Sequence, residues 1–291
     1  MQLGDSAVSD LDQENKLTNK VALVTSSRAG ICAESAHQLA CTGVSVVICG
    51  LNASQGNATV TEIQRSGGRA RFILTDVALV ADVQATINET IATFGRLDIL
   101  LNFASDDHER DGSLLEVSET TWDRIAETTL KGMFLCCQYA LPFLQQSDSG
   151  RIINLVEQTS SPQSRSVASI CQGGVLAMTY VIAQQFSAQN VSVNLVWVAQ
   201  PTLAMLPLSP FSLDSLTGLL EKIFHGFSTK EGTAEESTAE ESTAEESTAE
   251  ESTGEENVCP QPFANAADAI THIVNTTALH SHTLVVNTPP Q

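Results

Sequence analysis

Residues Asn19 to Cys32 read NKVALVTSSRAGIC, and the interpretation of this stretch decides the fold. Val21 to Thr25 is a continuous apolar and β-branched run, as expected of a strand buried on both faces. The run breaks at Ser26-Ser27. A single glycine, Gly30, follows, and Ile31 to Cys41 then has helical spacing. Strand, short turn and helix form the first part of a βαβ unit.

The alternation continues outward from there. Ser45–Cys49 (SVVIC), Ala70–Leu74 and Leu97–Leu101 (LDILL) read as strands. Val83, Ile87, Ile91 and Phe94 mark a helix before the last of these. One long helix is expected over Glu119–Leu144, a strand at Ile152–Val156 and a helix over Ala168–Ser187. A strand at Val191–Val196, a helix around Ala266–Val274 and a strand at Thr283–Val286 complete the pattern. Continuous apolar strands alternating with helices imply an α/β doubly wound parallel sheet of about seven strands, with helices on both faces. Ligands of such sheets lie at the carboxyl ends of the strands, near the point where strand order reverses.

Composition narrows the partners. The 291 residues carry 34 acids and 14 bases, for a net charge of −20. Eleven glutamates fall between Glu231 and Glu256, and without them 23 acids face 14 bases. Nucleic-acid backbone and anionic membrane surfaces are disfavoured as partners. The seven cysteines include no CxxC pair, so neither a disulfide framework nor a metal site is expected. Met1–Lys16 is polar with no apolar leader core, and no run of 18 apolar residues occurs, so the expected location is cytoplasmic. Five N-x-[ST] sites, at Asn52, Asn57, Asn88, Asn190 and Asn275, read as chance in that setting.

The expected organisation is a flexible segment over 1–18 and one domain over 19–290. A divergent stretch at 203–230, with a possible helix over Ser212–Phe224, interrupts that domain. So does a repeat linker at 231–257, which reads TAEES four times and then TGEEN. A five-residue period forms no apolar helix face, and alanine is all the repeat has to bury, so disorder is expected. Each Thr and Ser of the first four copies has Glu three residues on, a capping-box pattern and also one for an acid-directed Ser/Thr kinase.

A phosphate-binding turn after the first strand uses glycines for tightness, for close approach of pyrophosphate and for helix packing. Thr25 to Cys32 keeps only the middle one, Gly30. The chain as a whole resembles the short-chain dehydrogenase/reductase family, whose turn is TGxxxGIG. Asn19–Thr25 is similar to that family's opening strand, and Thr75-Asp76-Val77 to its adenine-contacting Asp-Val. Leu97–Ser105 is similar to its LDILVNNAG, and Gly150–Asn154 (GRIIN) to its GRIVN strand. Val193-Asn194 and Leu284–Asn287 resemble its last two strands.

The resemblance implies a Rossmann-type fold, NAD(P) as cofactor, and Gly30, Ile31, Asp76, Val77 and Asn102 as the residues around it. Asp76 as a strand-end cap and Asn102 as a tie between strands are equally physical readings. Several positions depart from the family. Ser26 and Cys32 replace the outer glycines, and Cys32 is expected to crowd the pyrophosphate. Gly50-Leu51-Asn52 lacks the charge that selects NAD or NADP, and Val198-Ala199 replaces the family's Pro-Gly.

The family's Asn, Ser, Tyr and Lys move a proton to or from the substrate oxygen. Register places Thr129, Glu157, Ala168 and Gln172 at those four positions, and no YxxxK occurs anywhere in the chain. The expectation is a pseudoenzyme acting as a binding or oligomer-partner subunit through helices 119–144 and 168–187. The alternative is an NAD(P)-dependent oxidoreductase with a non-standard active site. A functionless duplicate is a third reading. His108 with Asp106 and Asp107 could act as a base or metal contact, or be a solvated loop. Cys171 could be a nucleophile, or core.

Overall fold

The computed structural model describes residues 17–26, 30–104, 111–158, 166–186, 188–199, 266–275 and 283–287. Two compact units divide the chain, and all of these belong to the one formed by Met1–Leu203 and Val258–Gln291. The expectations for 1–16, for 203–257 with its repeat and kinase pattern, and for Asp106, Asp107 and His108 lie outside the described residues.

The elements run β1 (Val21–Thr25), α1 (Ile31–Cys41), β2 (Ser45–Gly50), α2 (Ala53–Arg65), β3 (Ala70–Leu74), α3 (Val80–Phe94) and β4 (Ile99–Ala104). Then follow α4 (Glu119–Ala126), a π turn (Glu127–Lys131), α5 (Gly132–Leu144), β5 (Gly150–Gln158), α6 (Ser166–Phe186), β6 (Val191–Ala199), α7 (Ala266–Asn275) and β7 (Thr283–Asn287). The seven strands order as β3-β2-β1-β4-β5-β6-β7, and every pairing is parallel. The order reverses between β1 and β4, and this sets the crevice.

Two cores flank the sheet. On one side Ala36, Leu39, Ile63, Ile270 and Ile273 pack with Val24, Val46, Leu101 and Ile153. On the other Val83, Ile87, Leu135, Leu144 and Ile182 pack with Leu23, Val47, Leu100 and Ile152. Alternate residues of one strand thus serve opposite cores, as the pleat requires. α6 is long and apolar enough to cross a bilayer by length and composition, but half of it is buried against the fold.

Three differences from the sequence reading have physical causes. α2 was missed because Val60 and Ile63 are its only buried large apolar residues, alongside Gly56 and Thr59. Asn52 starts it by accepting the Gln55 amide at 3.1 Å. The long helix is interrupted by the π turn rather than continuous over 119–144. Strand bounds also move: β4 starts two residues later than expected and runs to Ala104, while β5 and β6 each extend further, because ladder partners continue past the apolar run.

Candidate functional site

The carboxyl ends of β1, β2 and β3 hold the nucleotide-side positions. Gly30 has φ +84 and ψ −137, a conformation few residues other than glycine adopt, and a Cβ there would meet nothing within 4 Å. It leads into the N-terminus of α1, where backbone amides favour an anion. Cys32 is turned into the core, and its Sγ donates to the Ser26 carbonyl at 2.7 Å, tying helix to strand end. Ile31 is half-buried, and its carbonyl accepts the Ser35 hydroxyl at 2.6 Å.

At the end of β2, Leu51 presents a 67% exposed apolar side chain. Asp76 caps its own turn: Oδ1 accepts the Ala78 amide at 2.9 Å, and its backbone N–H donates to Asp82 at 3.0 Å. Val77 packs on Gly132 of α5, where a Cβ would come within 2.8 Å of Val77 Cγ2.

Asn102 is fully buried and bonds on both sides. Its Oδ1 accepts the Thr25 hydroxyl at 3.2 Å, and its Nδ2 donates to Asn154 Oδ1 at 2.9 Å and to Cys137 Sγ at 3.3 Å. Asn154 donates onward to the Thr179 hydroxyl at 2.9 Å. The chain of bonds links β1, β4, β5, α5 and α6. Burial pushes the Cys137 thiol up to about 12, against the Asn102 hydrogen bond.

Of the four residues assigned by register to the family's reaction positions, Glu157 lies at the end of β5, Ala168 and Gln172 on α6 and Thr129 in the π turn. Gln172 Nε2 donates to the Glu157 backbone carbonyl at 3.2 Å. Ala168, one turn earlier, is buried with Ile125, Val167 and Cys171. Thr129 is buried within the π turn. Cys171 is buried, and burial followed by the nearby Asp111 charge raises its thiol pKa. A raised thiol is a poor nucleophile. Among the described residues, no three metal-ligating side chains gather.

Asp111 is the site residue that sequence reasoning missed. Its Oδ2 accepts the Val167 amide at 2.7 Å and the Ala168 amide at 3.1 Å, capping α6. Its Oδ1 is buried without a hydrogen-bond partner among the described residues. No local motif could have found it, because the residues it caps are more than fifty positions away.

A parallel doubly wound sheet whose strand order reverses between β1 and β4 is the architecture of many nucleotide-binding proteins. The short chain dehydrogenase family model matches residues 20–202, and the chain belongs to that family. It is 34% identical over 181 residues to a (2S)-[(R)-hydroxy(phenyl)methyl]succinyl-CoA dehydrogenase subunit of Thauera aromatica, covering 62% of this chain and 72% of the relative. It is 31% identical over 210 residues to a 3-oxoacyl-[acyl-carrier-protein] reductase of Synechocystis, covering 67% and 84%. Among solved structures, a putative short-chain alcohol dehydrogenase of Sinorhizobium meliloti superposes with TM-score 0.58 at 28% identity, over 70% of this chain and 81% of that one. A putative short-chain dehydrogenase/reductase of Burkholderia xenovorans shares the fold at TM-score 0.64 and 23% identity, over 93% and 96%.

The family's nucleotide fits this chain unevenly. At Gly30, which leads into α1, a Cβ would meet nothing within 4 Å among the described residues, so this backbone is not covered by a side chain. Leu51 and Gln172, the residues expected where the family grips ribose, carry no charge, and Gln172 is bonded to backbone.

Proposed function

We propose that the protein is a short-chain oxidoreductase with a non-standard active site. NAD(P) binds at the switch-point crevice, and Asp111 replaces the family's tyrosine as the group that holds the reacting proton. The observation that carries this reading is the buried Asp111 Oδ1, which has no hydrogen-bond partner among the described residues, on a carboxyl fixed beside Ala168 by two backbone amides. A buried polar atom left unbonded costs about 1–3 kcal/mol, and a substrate hydroxyl donating to Oδ1 removes that cost. The relatives, named as reductases and dehydrogenases, support oxidoreductase chemistry. Gly30 and the α1 amides hold the pyrophosphate, with Asp76 and Val77 on the adenine side. The nucleotide, when bound, supplies or accepts hydride. Asp111 gives or takes the proton at the substrate oxygen, in the role of a general acid or base.

The test begins by titrating the full chain with NADH and NADPH, followed by fluorescence and thermal shift. Turnover is then assayed with 3-oxoacyl thioesters and simple ketones. Binding with turnover that falls about a hundredfold in Asp111→Asn, at unchanged nucleotide affinity, supports the reading. Failure to bind either nucleotide at about millimolar concentration overturns it, on the scale where affinity is only ~4 kcal/mol.

A second reading, a non-catalytic binding or oligomer-partner subunit, is favoured by the Gln172–Glu157 bond, which commits the lysine-position side chain to backbone. It is also favoured by an apolar groove of 490 Å³ between α4–α5 and α6, lined by Ala126, Leu130, Phe134, Gly174 and Met178. Phe134 and Ile170 are about half exposed on these helices. Nucleotide binding without turnover, in a particle larger than one chain, would establish this reading instead. Either activity is assigned to a reducing, cytoplasmic setting, in keeping with the free cysteines.

A further inference from the structure

At the C-terminal end of α1, His37 and Cys41 stand one helical turn apart. Cys41 Sγ lies 3.6 Å from His37 Nδ1, and His37 Nε2 lies 3.1 Å from the Ser66 hydroxyl. Ser66 comes from a different segment, the residue that ends α2. The imidazole is therefore held on both nitrogens. With Nε2–H donating to Ser66, Nδ1 is left as the acceptor for the Cys41 S–H. His37, Cys41 and Ser66 also line a small notch with Ala40, Ile63 and Gly68, none of which is among the crevice residues described above.

Cys41 is exposed, whereas the other five described cysteines are buried. Burial pushes the Cys49 and Cys137 thiols up to about 12 and the Cys136 thiol well above its usual value. Those thiols stay protonated and shielded from solutes.

A nucleophile, a base within reach of it and a third group orienting the base form an activated-nucleophile arrangement. We propose that Cys41 is a reactive thiol activated by His37, and that it exchanges with small-molecule disulfides to form a mixed disulfide on the surface of α1. In that step His37 Nδ1 takes the Sγ proton. The Cys41 sulfur attacks one sulfur of the disulfide, a new S–S bond forms and the reagent's S–S bond breaks. The departing thiolate takes up a proton from the imidazolium or from water. Cys41 is thereby oxidised to the disulfide level and half of the reagent is reduced to thiol. The His37 imidazole is the base placed within reach of the Cys41 sulfur at this position.

The test reacts the full chain with dithiobis-nitrobenzoate, whose released thiolate is coloured, and maps the modified residue by peptide mass spectrometry. One fast thiol per chain is expected, located at Cys41 and absent in Cys41→Ser. His37→Ala is expected to slow that phase by about tenfold, with free imidazole restoring part of the rate. A merely structural role for His37 would show no such rescue. His37→Gln, which keeps the bulk of the side chain, is expected to match the loss, and Ser66→Ala to give a smaller one. An unchanged rate in both His37 variants, or a fast label that maps to Cys259 rather than Cys41, overturns the proposal.

Discussion

Asn102 illustrates how one side chain can decide the register of three strands. Its amide accepts from Thr25 on β1 and donates to Asn154 on β5, with no solvent access. Asn102→Ala leaves the Thr25 hydroxyl and the Asn154 carbonyl oxygen without this partner. The expected loss is about 2–4 kcal/mol, readable as a lower urea midpoint at unchanged slope. Gly30→Ala acts differently. No side chain clashes there, but φ +84 strains any L residue, so a loss of about 1 kcal/mol is expected. Nucleotide affinity should fall with it if the crevice is used as proposed.

The element that most shapes the site is the π turn between α4 and α5. Its extra residue interrupts the helix at Glu127–Lys131, and the chain resumes at Gly132 against Val77. π bulges of this kind re-aim backbone groups and are frequent at functional sites. Gly132→Ala would bring a Cβ within 2.8 Å of Val77 Cγ2, forcing α5 away from the turn after β3. A destabilisation of about 1–3 kcal/mol is expected, together with altered amide exchange over α4 and α5 but not over α1.

For the whole molecule, Asp98 is the electrostatic staple at the amino ends of the strands. It accepts from the Val21 amide at 2.9 Å, from Arg96 at 2.8 and 2.6 Å and from the Ser147 hydroxyl at 2.6 Å, with Lys20 3.4 Å away. These bonds join β1, β4 and the turn before β5. Burial opposes its charge, but the Arg96 and Ser147 bonds, the Val21 amide and the Lys20 ammonium outweigh that and hold its carboxyl below the usual range. A lowered folded-state pKa stabilises the fold above the unfolded value, near 3.9, and that contribution is lost as pH falls through the folded value. Urea midpoints of the natural protein should therefore drop steeply below about pH 4, and Asp98→Asn should flatten that part of the profile while lowering stability at neutral pH. Asp148, which pairs with Lys20 from a side chain that is 77% exposed, contributes little by comparison.

The features legible in the sequence were the local ones. Continuous apolar runs specified strands buried on both faces, and helical spacing specified α1 and α3, because a residue's neighbours along the chain set its period. Gly30 was legible as a turn glycine for the same reason. Spacing from Leu130-Lys131-Gly132, from Ile152-Ile153-Asn154 and from Gly173-Gly174 is likewise local, and it is what assigned Thr129, Glu157, Ala168 and Gln172 to the family's four positions. α2 escaped because a helix that buries glycine and threonine has little hydrophobic period.

What only the tertiary structure decided were the partners. The sequence left Asn102 open between a nucleotide contact and a tie between strands, whereas the fold surrounds it with Thr25, Asn154 and Cys137. Asp111 carried no motif and became a cap on α6. Helical spacing over Ile31 to Cys41 says nothing of Ser66, which the fold brings beside His37. Each of these contacts joins residues set together by strand register and helix packing. A chain encodes such meetings through the sum of its core contacts rather than through any pattern at the residues that meet.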